Sequence, residues 1–199
     1  MANLGEGVSG TVTVGTYQGH NVAVKRFFKG EYDVVSEDFV RETCIMRKLK
    51  YSYVMNTLHA SISEEGVCEI MMPLGKTDLF KLVNDGVQFD IKSMGLKIAL
   101  GLVYLENNNV FHGDIKPENI IIMEDLTPKI ADFGVSVVNV CTFTFDSMWQ
   151  SVNTFHYKAP EMLVGLGYDF SSFSWVFGLL MYFMSKGKNL FFPLDMKIL

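Results

Sequence analysis

His112-Gly113-Asp114-Ile115-Lys116-Pro117-Glu118-Asn119, followed by Asp132-Phe133-Gly134, concentrates one kind of chemistry in a short stretch of chain. Asp114 can accept a proton, Lys116 can neutralise a phosphate, and Asn119 and Asp132 offer oxygen ligands to a cation. Phosphoryl transfer needs that inventory, because it depends mostly on positioning and charge neutralisation around a nucleotide–metal complex. Asp, Asn, Pro and Gly also favour plain turns. A turn alone does not account for so many specified positions at one spacing.

Upstream, Gly5-Glu6-Gly7-Val8-Ser9-Gly10-Thr11-Val12 is a glycine-rich turn between two short β-rich runs. Glycines there let backbone amides approach phosphates without a Cβ in the way. Lys25 follows on the next run, in Val22-Ala23-Val24-Lys25. Residues 36–49 read as a helix, with Ser36 as N-cap, Glu37 and Asp38 in the first turn and Arg47 and Lys48 at the end.

The order of these motifs resembles the eukaryotic protein kinase family, in which the glycine-rich loop, the Val-Ala-Val-Lys strand, the Asp-Ile-Lys-Pro-Glu-Asn loop and Asp-Phe-Gly occur in that sequence. The resemblance implies ATP as phosphoryl donor with Mg²⁺, Mn²⁺ serving as alternative. It implies catalytic roles for Asp114, Lys116, Lys25 and Glu42, with Glu42 as ion-pair partner of Lys25 and Glu37 as the other candidate. Asn119 and Asp132 become the metal ligands. Leu4, Gly5, Gly7, Gly10, Val12, Ala23, Lys25, Met71, Met72, Leu74 and Ile121 become the nucleotide site, with Met71 in the gatekeeper position at the back of the adenine site and Met72 and Leu74 offering backbone groups to the adenine. Met46, Leu58, His112 and Phe133 match an internal column joining two lobes. Lys116 matches the serine/threonine-specific members, so the expected acceptor is a Ser or Thr hydroxyl of a protein. Thr154 and Tyr157, before Ala159-Pro160-Glu161, match the segment that receives the substrate. Thr142, Thr144, Ser147 and Ser151 are candidate phosphosites.

The elements that must position these groups read as an α+β, two-lobed fold. A small β-rich lobe with one helix spans 1–72, a hinge 73–76, and a mainly helical lobe 77–199. Strands are expected near Asn56–Ile62 and Val67–Met72, and a helix from Ile91 to Asn107 buried through Leu96, Ile98, Ala99, Leu102, Val103 and Leu105. A last apolar helix covers about Ser171–Ser185.

Three departures from the family pattern stand out. Gly113 stands where an arginine usually pairs with a phosphorylated loop. Phe173 stands where an aspartate usually tethers the catalytic loop; amides left unpaired there would each cost about 1–3 kcal/mol. The sequence also stops short of the family's last helices, so the Trp175–Phe183 helix is expected to present a bare apolar face to a partner protein. These departures motivate a second reading, a kinase-like binding module with little or no turnover. The compactness resembles the reduced kinases of large DNA viruses, which would place the protein in a host cell.

Composition narrows the classes. The 199 residues are 49% hydrophobic and 20% charged, with a formal net charge of -5. That suits a packed core and argues against a nucleic-acid or anionic-membrane partner. Three cysteines without ligand spacing fit a reducing compartment, cytoplasmic or nuclear. The start carries no secretory signal pattern.

Overall fold

The computed structural model describes residues 2–7, 9–28, 35–138, 156–163 and 169–191. Val8 and the candidate residues Thr142, Thr144, Ser147, Ser151 and Thr154 lie outside them.

The first part is an antiparallel sheet of five strands: β1 (Asn3–Glu6), β2 (Gly10–Tyr17), β3 (His20–Phe27), β4 (His59–Ile62) and β5 (Cys68–Pro73), in the order β1-β2-β3-β5-β4. Gln18 and Gly19, both at positive φ, turn β2 into β3. Gly10 is fixed by packing, since a Cβ there would collide with the Arg26 carbonyl on β3. Helix α1 (Glu37–Lys48) lies against this sheet and buries Phe39, Glu42, Thr43, Ile45 and Met46. Ser36 occupies the N-cap position, but its side chain makes no capping hydrogen bond.

Pro73 ends β5 opposite Val22. A strand end tolerates proline because no further ladder donor is required. The chain then runs close over Ile121, where a Cβ on Gly75 would strike that side chain. The Lys76 N–H donates to the Ile122 carbonyl at 2.8 Å.

The second part is built on α2 (Leu79–Asn84), α3 (Ile91–Asn107) and α5 (Ser171–Lys186), with the short α4 (Pro160–Leu163). Asp78 and Asp90 cap α2 and α3 by accepting from the Lys81 and Lys92 amides. Between the helices lie β6 (Thr77–Asp78), β8 (Ile120–Ile122) and β9 (Pro128–Ile130) in one small sheet, and β7 (Val110–Phe111) paired with β10 (Val137–Val138). The architecture is α+β, as expected.

Helix α3 has the expected bounds, and Ile98, Leu102 and Leu105 are buried as expected, but Leu96 and Val103 are not part of that face. Met94, Gly95, Ile98, Gly101, Leu102 and Leu105 point inward, while Leu96 is 61% and Val103 50% exposed. The two glycines decide this. A Cβ on Gly95 would meet Met181 of α5 and one on Gly101 would meet Ile130, so the helix packs along its small residues. Helix α5 is likewise covered more fully than expected. Trp175 stacks on Phe191, and Phe183 on Phe80, with ring centroids 6.0 and 5.8 Å apart. No large hydrophobic side chain between Trp175 and Phe183 is exposed among the described residues. The expected bare face on this helix is therefore corrected.

Candidate active site

Lys25 sits on β3, facing away from solvent. Its ammonium lies 2.7 Å from Glu42 Oε2 on α1 and 2.9 Å from Asp132 Oδ1 in the second part of the chain. One cation thus joins the sheet, the helix and the Asp-Phe-Gly loop. Burial works hardest against the ammonium, but Asp132 and Glu42 together outweigh it and hold the Lys25 pKa above the ordinary lysine value. Glu42 is almost wholly buried, and burial pushes its carboxyl up to about 7 against the pull of Lys25. Asp132 is opposed by desolvation too, yet Lys25 beside it keeps its pKa below the usual carboxylate value. The competing candidate Glu37 is the first residue of the helix, and Glu42 is the acid that meets Lys25.

The His112–Asn119 segment is equally tied. Lys116 Nζ lies 2.7 Å from Asp114 Oδ2. Asn119 Nδ2 donates to that same carboxylate oxygen at 3.0 Å and to the Asp114 carbonyl at 2.7 Å. The other carboxylate oxygen, Asp114 Oδ1, is buried and has no partner among the described residues. With its amide nitrogen committed, Asn119 has its Oδ1 as the remaining group for a cation.

His112 holds the two loops together. It is fully buried, which pushes its pKa down. Neutral imidazole then donates from Nε2 to the Ala131 carbonyl at 2.9 Å and accepts at Nδ1 from the Asp114 N–H at 3.3 Å. Its ring also packs against Phe133 at 4.9 Å. Ser136, which sequence reasoning did not single out, donates its hydroxyl to the His112 carbonyl at 2.9 Å. A serine two residues after Asp-Phe-Gly was the only signal for it. Met46 joins His112 and Phe133 in the interior, but Leu58 does not; it is 43% exposed. The neighbouring Thr57 turns inward instead, its hydroxyl buried without a partner among the described residues.

The expected nucleotide wall is partly assembled. β3 pairs Ala23 with Met72 and Lys25 with Ile70, and partners across an antiparallel pair share a face. Met72 is therefore the buried methionine on the Ala23–Lys25 face. Met71 pairs with Val24 and His59 and points to the other face. The side-chain assignment of Met71 is corrected on this ground, since an alternation of two leaves no choice once Lys25 points inward. Val12, Leu74 and Ile121 are partly buried against the core, and Leu4 is exposed on β1. A methyl group placed on Gly5 or Gly7 would meet no described protein atom closer than 4.0 Å, and neither residue has a positive φ. Nothing in the described fold itself therefore demands glycine at these two positions.

The donor set suits a hard cation. Among the described residues no group of three or more His, Cys, Asp or Glu stands ready to hold a metal alone. Asp132 and Asn119 supply oxygen donors only, and Mg²⁺ typically uses one or two such ligands with phosphate and water completing its shell.

A family model described as the protein kinase domain matches residues 1–197. The chain is 29% identical over 202 residues to a probable serine/threonine-protein kinase of Dictyostelium discoideum, covering 96% of this chain and 12% of that protein. A second such protein of the same organism is 29% identical, covering 98% of this chain and 22% of its own length. The megakaryocyte-associated tyrosine-protein kinase of Rattus norvegicus is 30% identical over 186 residues, covering 91% of this chain and 38% of that protein. The chain thus spans well under half the length of these relatives. With its motifs in order and its lysine, glutamate and aspartate in contact, the chain belongs to the protein kinase domain family.

Proposed function

We propose that the chain transfers the γ-phosphoryl group of ATP to a serine or threonine hydroxyl of a protein. The observation that carries this reading is the Lys25 ammonium held between Glu42 and Asp132, a cation fixed where two parts of the chain meet. Lys25 binds the α- and β-phosphates, and Glu42 orients it. The space left by the absent side chains of Gly5 and Gly7 leaves room for phosphate oxygens, while Gly10 serves the sheet. Ala23, Val12, Met72, Leu74 and Ile121 enclose the base, with Leu4 at the rim.

Asp114 receives the acceptor's proton at Oδ1, the buried oxygen without a partner among the described residues, while Lys116 and Asn119 hold Oδ2 and fix the carboxylate's rotation. The acceptor oxygen bonds to the γ-phosphorus, the bond to the β–γ bridging oxygen breaks, and ADP leaves with that electron pair. Lys116 lies beside Asp114 and offsets charge on the phosphoryl in flight. Asp132 and Asn119 would hold Mg²⁺, which neutralises phosphate charge when bound. Lys116 supports serine and threonine as acceptors, because it matches the serine/threonine-specific members of the family. The free thiols of Cys44 and Cys68 support work in a reducing compartment, cytoplasm or nucleus.

The test is transfer of labelled γ-phosphate to a mixed basic protein substrate, followed by identification of the phosphorylated residue type. Phosphoserine and phosphothreonine are expected. Phosphotyrosine alone overturns the acceptor assignment. ATP binding with no transfer overturns the enzyme reading in favour of a kinase-like binding module.

A further inference from the structure

We propose that Arg41 is a positioning residue whose guanidinium holds the Gly134 carbonyl and so keeps the Asp132 carboxylate beside Lys25. The inference rests on the reading of Asp132 as a metal ligand. Arg41 precedes Glu42 on α1, and successive helix residues point about 100° apart. Glu42 reaches Lys25 on β3, while Arg41 Nη1 reaches the Gly134 carbonyl at 2.8 Å. The same nitrogen lies 2.9 Å from Asp38 Oδ1, one turn earlier on the helix, which aims it. One turn of α1 therefore grips both sides of the cluster.

The grip matters because Asp132 is held in an unfavourable conformation. Its φ is 67°, in the left-handed region that non-glycine residues seldom occupy. Such a residue persists only where its surroundings over-determine it. On its N-terminal side, Ala131 is pinned at both backbone groups: its N–H donates to the Asn119 carbonyl at 2.9 Å and its carbonyl accepts from His112 at 2.9 Å. On its C-terminal side, the Ser136 N–H closes a turn onto the Phe133 carbonyl at 3.0 Å. The Arg41 bond is what ties Gly134 to another element among the described residues. Without Arg41 the exit of the loop is free to relax, and Asp132 can leave the left-handed region.

Two measurements test this on the full chain. Amide hydrogen exchange across residues 131–136, without ligand, should rise about tenfold in Arg41→Ala relative to the rest of the protein, and Arg41→Lys should restore part of the protection, since one ammonium can still reach the carbonyl. In phosphotransfer assays the half-saturating Mg²⁺ concentration should rise about five- to tenfold in Arg41→Ala, with most of the rate recovered at high Mg²⁺. A variant that loses global stability yet keeps wild-type Mg²⁺ dependence and wild-type local exchange overturns the inference. Should Arg41→Ala fail to fold, Arg41→Met, which keeps a long side chain but has no donor for the carbonyl, with unchanged exchange and Mg²⁺ dependence overturns it equally. A wild-type protein with neither ATP binding nor transfer removes the kinase reading itself, which the wild-type control reports separately.

Discussion

Phe111 and Phe173 stack face to face, with ring centroids 5.5 Å apart and 4° between their planes. Phe111 immediately precedes His112 and the Asp114–Asn119 loop, and Phe173 lies on α5, so the stack fastens the start of that loop to the helix through two aromatic rings. Phe170 adds a third ring at 5.6 Å from Phe173. This contact occupies the place where an aspartate tether was expected. Aromatic pairs contribute about 0.5–1.5 kcal/mol beyond their buried area.

Phe173→Ala should destabilise the protein by about 3–5 kcal/mol, the range for emptying a buried aromatic site. Phe173→Asp should destabilise as well, because a carboxylate would replace a ring in an aromatic cluster. Chemical denaturation measures both. A stabilised Phe173→Asp variant would mean that the aspartate tether is still favoured and that the stack is incidental.

Gly113 has φ 81°, a conformation an L side chain adopts only under strain. Gly113→Ala should cost roughly 1 kcal/mol or more, read as a lowered midpoint of unfolding. An unchanged midpoint would show that the loop relaxes out of the left-handed region freely.

Thr57 and Thr43 each bury a hydroxyl without a partner among the described residues. Thr57→Val keeps the shape and removes the unsatisfied group, so a gain of about 1 kcal/mol is expected. A loss of stability would reveal that the hydroxyl is satisfied in solution.

Glu42 titrates near 7 in the folded protein, above its value in an unfolded chain. A raised folded pKa means that this group's contribution to stability is full at pH below the unfolded value and is lost as pH rises through about 7. Glu42→Gln should therefore flatten the stability–pH curve across that window, and should also lower phosphotransfer by releasing Lys25. Stability curves of wild type and variant that run parallel would contradict the assignment.

Much of the fold could be read ahead of the structure. The bounds of α3 and α5 followed from apolar density ended by turn residues, and β3 from its run of β-forming residues. What escaped the sequence was orientation. Leu96 and Val103 look like core residues, and only the close approach of Gly95 and Gly101 to α5 and β9 turns them out to solvent. Met71 and Met72 are chemically alike, and only the pairing of β3 with β5 decides which one shares the Lys25 face. In the site, residue types and spacing pointed to Asp114, Lys116, Asn119 and Asp132, while the role of Lys25 and its pairing with Glu42 came from the family resemblance. The Arg41–Gly134 and Ser136–His112 bonds were invisible, because a surface arginine and a loop serine carry no periodic signal.

The most direct measurement is the initial rate of γ-phosphoryl transfer from Mg-ATP in wild type and Asp114→Asn, with ATP affinity measured on both. The variant keeps the shape of the side chain and its neighbours Lys116 and Asn119 but removes the proton acceptor. ATP affinity within a few-fold of wild type and a rate lower by roughly two or more orders of magnitude are expected. A variant as fast as the wild type, or a wild type that binds ATP and transfers nothing, would contradict the proposed phosphoryl transfer through Asp114.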